Sequence, residues 1–172
     1  KNVITIAWTG IINSHPPKTY ISVRPERFSY ELIDSNGVFT INLPTEEIVK
    51  QLDLCGVKSG KDTDKFELCG FDAEECFEID CVSIAQCPIS LECKVTDKVS
   101  LGSHDMFIAD IVCVSVDDKY VCDGKLCLDK CKLVTYSHGE YFGLGKKLGS
   151  FGYSVTKKST IKRKARQKRE KK

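Results

Sequence analysis

Two long β-favouring runs, residues 89–101 and 106–117, are parted only by Gly102-Ser103-His104-Asp105. No other feature constrains the chain as tightly. A link that short joins antiparallel neighbours, because a parallel crossover takes a dozen residues or more. Further strands are expected at 3–8, 19–23, 38–43, 82–85 and 133–136. The first alternates as Val-Ile-Thr-Ile-Ala-Trp, and the polar, Pro-rich turn 13–17 should fold it against 19–23. Two helices read at 26–35 and 46–55. Phe28, Leu32 and Ile33 share a side of the first, which Asn36-Gly37 closes. Thr45 N-caps the second, with Ile48, Val49 and Leu52 inward. Residues 57–65 read as a Gly- and charge-rich loop, 66–80 as a short helix and loop, and 141–148 as a helical turn loosened by its glycines. The expected class is mainly β, a small antiparallel barrel with helical excursions. A doubly wound α/β fold needs a Gly-rich fingerprint after its first strand, and WTGIIN at 8–13 is not one.

A chain of 172 residues, 41% hydrophobic and 29% charged, suits one domain with a real core. No apolar run approaches the roughly 20 residues that span a bilayer, and no signal peptide reads at the start. Ten cysteines in such a chain point to reduced thiols and a cytoplasmic setting, with Cys93 and Cys113 placed as small core residues. No C-x2-C knuckle occurs, and Cys122, Cys127 and Cys131 have no fourth ligand at matching spacing, so no metal is assigned. The net charge of +2 hides an asymmetry: residues 157–172 carry +9, which leaves −7 for the rest. A domain over 1–155 and a basic, disordered tail over 156–172 are expected. Such a tail can attract nucleic acid or an anionic surface, but more often it is only solvated.

Residues 20–30, YISVRPERFSY, hold the most suggestive chemistry. A strand begins at Tyr20 and breaks at Pro25, which has no N–H for a ladder. Ser22, Arg24, Arg27, Ser29 and Tyr30 gather around the break. A planar guanidinium fork beside hydroxyls suits a dianionic phosphate; a polar strand-to-helix turn in solvent explains the same residues equally well. Asn2–Gly10, 39–45, 55–66, 101–111 and 136–155 accompany it in a fixed order. With residues 20–30 they resemble the flavin reductase-like family of FMN-binding split barrels, nearest its flavoredoxin branch, from about residue 2 to 155. In that family a short segment before Asn2 supplies the first barrel strand. The chain opens without Met, so that segment is expected to be missing here.

The resemblance implies a Greek-key split barrel that binds FMN at the interface of a homodimer. It implies that Ser22, Arg24 and Ser29 hold the phosphate, and that Thr5, Trp8, Thr9, Asn42, Lys65 and His104 surround the isoalloxazine. Unaided by it, Trp8 is as readily core, Lys65 a solvated charge and His104 polar surface; His138 is a further candidate contact to ligand or partner. The implied activity is flavin reduction by NAD(P)H, in which the flavin carries the chemistry and Lys65 and His104 tune or orient it. An FMN electron carrier with a protein donor is the alternative, and a basic-tailed binding module for nucleic acid is a third. No Ser-His-Asp order, HExxH or P-loop appears.

Overall fold

The computed structural model describes residues 1–156, so nearly all of the expected basic tail lies outside the described residues. In chain order the elements are β1 (Thr9–Ser14), β2 (Pro17–Val23), α1 (Phe28–Asn36), β3 (Val38–Leu43), a 3-10 turn (Glu46–Ile48), α2 (Val49–Val57) and α3 (Lys65–Cys69). Then come β4 (Ala73–Glu75), β5 (Val82–Ile84), β6 (Ile89–Ser100), β7 (Asp105–Val116), the short pair β8 (Val121–Cys122) and β9 (Lys125–Leu126), and the hairpin β10 (Val134–Ser137) and β11 (Glu140–Gly143). The main sheet runs β1-β2-β7-β6-β3, antiparallel throughout. The long β6–β7 hairpin is its spine, as its short link requires. Register shifts at Glu92/Cys93 and Val95/Asp97 bend β6. Beyond the second shift its residues are exposed.

The core lies on one face of this sheet. Ile21, Val23, Ile33, Phe39, Cys93, Phe107 and Ala109 form one buried cluster. Tyr30 meets Phe107 edge-on at 5.3 Å, and burying a ring of that size contributes about 1.5–3 kcal/mol. A second cluster joins Cys55, Phe66, Cys69, Phe71 and Ile84 beneath α2 and α3. Gly37, at φ 67°, closes α1 in the left-handed region where a side chain would strain.

Three expectations need correction. Residues 3–8 are not a strand: the first ladder begins at Thr9, so the hairpin partner of β2 is Thr9–Ser14. The alternation marks a β-competent stretch, but a ladder needs a partner, which propensity does not supply. Residues 141–148 are not a helical turn either. Tyr141 and Phe142 pair with Tyr136 and Thr135 in the β10–β11 hairpin, turned at Gly139. The second helix starts as a 3-10 turn, and Thr45 is buried in a bridge to Leu133 rather than capping through its hydroxyl. No helix among the described residues is long and apolar enough to cross a membrane.

The start of β7 is fixed by charge. Asp105 is buried and accepts hydrogen bonds from Tyr30 Oη at 2.5 Å and Ser100 Oγ at 2.7 Å. The Tyr30 bond, then the Ser100 bond, hold its carboxyl below the ordinary range. A carboxylate whose native pKa is depressed stabilises the fold above its unfolded pKa of about 3.9 and loses that contribution as pH falls through the native value. The unmodified chain should therefore be more resistant to urea than Asp105→Asn at pH 6. Urea midpoints measured down to pH 2 should converge.

Candidate functional site

The chain bends sharply after β2. Arg27 N–H donates to Arg24 O at 3.0 Å, and Tyr30 N–H donates to Arg27 O at 2.8 Å, so two turns carry the backbone around Pro25 into α1. The bend leaves Arg24 and Arg27 exposed and Ser29 buried. Arg24 has no ion pair among the described residues. Arg27 Nη1 donates to Gly56 O at 3.5 Å, which leans it toward α2.

Trp8 stands beside this bend. Its carbonyl accepts the Ser22 N–H at 3.0 Å, which ties it to the end of β2. Its ring lies 4.4 Å from the His104 ring, centroid to centroid, tilted 47°. His104 comes from the β6–β7 turn, where Ser103 Oγ lies 3.0 Å from its Nδ1. More than half of Trp8 is exposed (57%). Trp8, Ser22 and His104 thus form one shelf from three separate stretches of sequence, and Arg24 stands exposed two residues beyond Ser22.

Of the remaining predicted residues, Ser29 is buried, Thr5 and Asn42 are half-buried and Thr9 is exposed. Thr5, Thr9, Ser29 and Asn42 line a cavity of about 950 Å³ walled largely by Val3, Ile6, Ile33, Phe39, Ile41 and Phe66. That volume is near the upper end of ligand clefts, about 300–1,000 Å³. Their polar atoms are engaged within the protein. Thr5 Oγ1 donates to Leu52 O, and Thr9 Oγ1 to Tyr20 O at 2.7 Å. Ser29 Oγ accepts from Asn2 Nδ2 at 2.8 Å. Asn42 Oδ1 accepts from Ile84 N–H at 3.0 Å and Ser90 O–H at 2.8 Å, tying β3 to β5 and β6.

Lys65 is the surprise of the set. It is not a loop charge but the first residue of α3, 4% exposed. The helix starts there because Asp64 Oδ1 accepts the N–H groups of Phe66 and Glu67. Lys65 Nζ donates to Val3 O and Cys55 O, both at 2.8 Å. Burial draws its pKa below the ordinary lysine range. Lys65 therefore clamps the N-terminal segment onto the end of α2. Asn2 belongs to the same clamp. Sequence reading missed it, since a lone Asn near a chain end carries no pattern. His138 lies exposed at the tip of the β10–β11 turn.

The family model described as flavin reductase like domain matches residues 1–145. This chain belongs to that family. Among solved structures, flavoredoxin of Desulfovibrio vulgaris (Miyazaki F) superposes with a TM-score of 0.85 at 28% identity, covering 90% of this chain and 85% of that one. Flavoredoxin from Methanosarcina acetivorans gives 0.80 at 27% identity, with the same coverage. An uncharacterized protein of Archaeoglobus fulgidus is 28% identical over 141 residues, 82% of this chain and 79% of its own length. The fold is that of the flavin reductase-like split barrels, as the resemblance implied and in line with the small antiparallel barrel read from the strand pattern.

Within this flavin reductase-like domain the Lys65 clamp has a measurable weight. Lys65→Met keeps the stem but leaves two buried carbonyls without their donor, each worth about 1–3 kcal/mol when unpaired, partly offset by no longer burying a charge. Urea unfolding of the variant should show a net loss of about 1–3 kcal/mol. An unchanged midpoint would show that the clamp contributes nothing.

Proposed function

We propose that this chain binds FMN and works as an electron-transferring flavoprotein, reduced either by NAD(P)H or by a redox protein. The observation that carries the reading is the shelf: an exposed tryptophan face, backed by His104 and tied to Ser22, with Arg24, which has no ion pair among the described residues, two positions further along. These residues fit a phosphorylated flavin in kind. Arg24 offers a charged fork to the phosphate dianion, Ser22 and Ser29 flank it, and Trp8 offers an aromatic face to the ring system. Thr5, Thr9 and Asn42 stiffen the wall behind, and the buried Lys65 ammonium adds positive potential there, in a setting that water screens poorly. FMN, when bound, supplies the hydride and electron chemistry. The chain's tasks are to bind, orient and shield it.

A homodimer with the flavin at its interface accompanies this reading. β1 presents Ile11 (66% exposed) and Ile12 (48%) beside Trp8, an apolar edge of the kind that partners cover. The flavoredoxin likenesses favour a protein donor as the second reading. Stopped-flow mixing with NADH or NADPH under nitrogen separates the two: rapid bleaching of the flavin band points to the nicotinamide, and persistence of colour to a redox protein. The free thiols of all ten cysteines suit a reducing, cytoplasmic compartment. A colourless protein with salt-sensitive DNA binding would favour the basic-tailed module instead.

Arg24→Ala should weaken FMN binding by about 1.5–3 kcal/mol, the range of a hydrogen bond to a charged group. Riboflavin, which has no phosphate, should lose much less. Calorimetric titration with both ligands checks this; equal losses would remove Arg24 from the phosphate. Bound FMN should also quench the fluorescence of Trp8, the only tryptophan.

A further inference from the structure

The β8–β9 hairpin is unused by any of this, yet it concentrates thiols. Val121 pairs with Leu126 and Cys122 with Lys125 around the two-residue turn Asp123-Gly124, both at positive φ. Cys127 N–H donates to Tyr120 O at 2.8 Å and extends the register by one position. Cys122 and Cys127 are therefore diagonal neighbours on one face of the hairpin, within reach of each other's side chains. A 3-10 turn, Leu128–Lys130, then brings Lys130 back, with Nζ 3.1 Å from Cys122 Sγ. Beneath it Cys131 is buried, its thiol directed to Cys127 O at 3.7 Å, and seats the turn against Ile89 and Leu133.

The other thiols are placed differently. Cys55 and Cys69 approach to 3.8 Å between sulfurs, but both are buried. Burial pushes Cys55, Cys76, Cys87 and Cys93 up to about 12, where the thiolate is scarce. Cys122 moves the other way, drawn down first by the neighbouring Cys127 thiol and then by Lys130. Cys127 moves up, chiefly because of its Cys122 neighbour.

We propose that Cys122 and Cys127 are a redox-active dithiol, with Cys122 as nucleophile, Cys127 as resolving thiol and Lys130 as the cation that holds the thiolate. The co-reactant class is a low-molecular-weight disulfide. The Cys122 thiolate attacks one of its sulfurs, forming a mixed disulfide and releasing one small thiolate. Cys127 then gives up its proton and attacks the Cys122 sulfur, which closes the protein disulfide and releases the second small thiolate. The protein loses two electrons, the small disulfide gains them, and the two released thiolates take up protons. The site rests on different residues from the flavin reading and stands or falls separately from it.

The test uses the full chain, reduced and freed of reductant. Iodoacetamide at limiting concentration and pH 7, read by peptide mass spectrometry, should label Cys122 before Cys113. Lys130→Met should slow Cys122 labelling roughly threefold or more. Oxidised glutathione, as the probe disulfide, should produce a Cys122–Cys127 cross-link that dithiothreitol reverses, and in Cys127→Ser a mixed disulfide held on Cys122. Labelling of Cys122 no faster than of Cys113, or folded oxidised protein without the 122–127 link, would overturn the proposal. The unmodified chain alone gives both readings, so a variant that fails to fold does not decide the matter.

Discussion

A buried ammonium holds the N-terminal segment in place. Lys65 donates to Val3 O and Cys55 O from inside the protein, where an unpaired charge is costly and a lost donor leaves carbonyls stranded. The segment it grips has no ladder of its own; Thr5 to Leu52 O and Asn2 to Ser29 Oγ are its other polar anchors. Trp8 follows directly, and its carbonyl meets β2. The position of the aromatic shelf therefore depends on a lysine 57 positions away, which is itself placed by the Asp64 cap. Cap, clamp and shelf form one chain of dependence.

Most of the sheet was legible in the sequence because its information is local. The β6–β7 hairpin follows from two alternating runs and a tight link, β3 was read to its observed bounds, and Gly37 closes α1 as its neighbours suggest. Two of the misreadings concern pairing: residues 3–8 find no partner strand, and residues 141–143 find one across a two-residue turn. Residues 3–8 look like a strand but lie as a strap over α2, and residues 141–148 look like a loose helix but begin as a strand opposite β10. Part of the candidate site was legible in the same way. Ser22 and Arg24 announce themselves around Pro25. The contact of Trp8 with His104 spans 96 positions, and only the resemblance to the flavin reductase-like family had placed both beside one ring. The burial of Lys65 had no local signal, since its charged neighbours Asp62 and Asp64 suggested solvent.

Two polar side chains elsewhere are paired in the same way. Glu92 is 2% exposed and accepts the N–H groups of Phe77 and Glu78, at 2.9 and 2.8 Å. It thereby folds the loop between β4 and β5 against the bend in β6. Asn42 does likewise for β3, β5 and β6. In each case one side chain does for a loop what a ladder does for a strand. Such a side chain lets the barrel carry an irregular segment by pairing some of its backbone groups.

The strap described above has a consequence for motion. Amides in the β6–β7 spine are paired on both sides and open only when the whole sheet does. The strap is held by side-chain bonds and by the packing of Val3 and Ile6, with no ladder, so it can detach in a local event of lower free energy. Solvent hydrogen exchange would then divide the molecule into a slow scaffold and a fast flap. The tryptophan belongs to the hinge between them, so the aromatic face can be reset without melting the barrel that supports it.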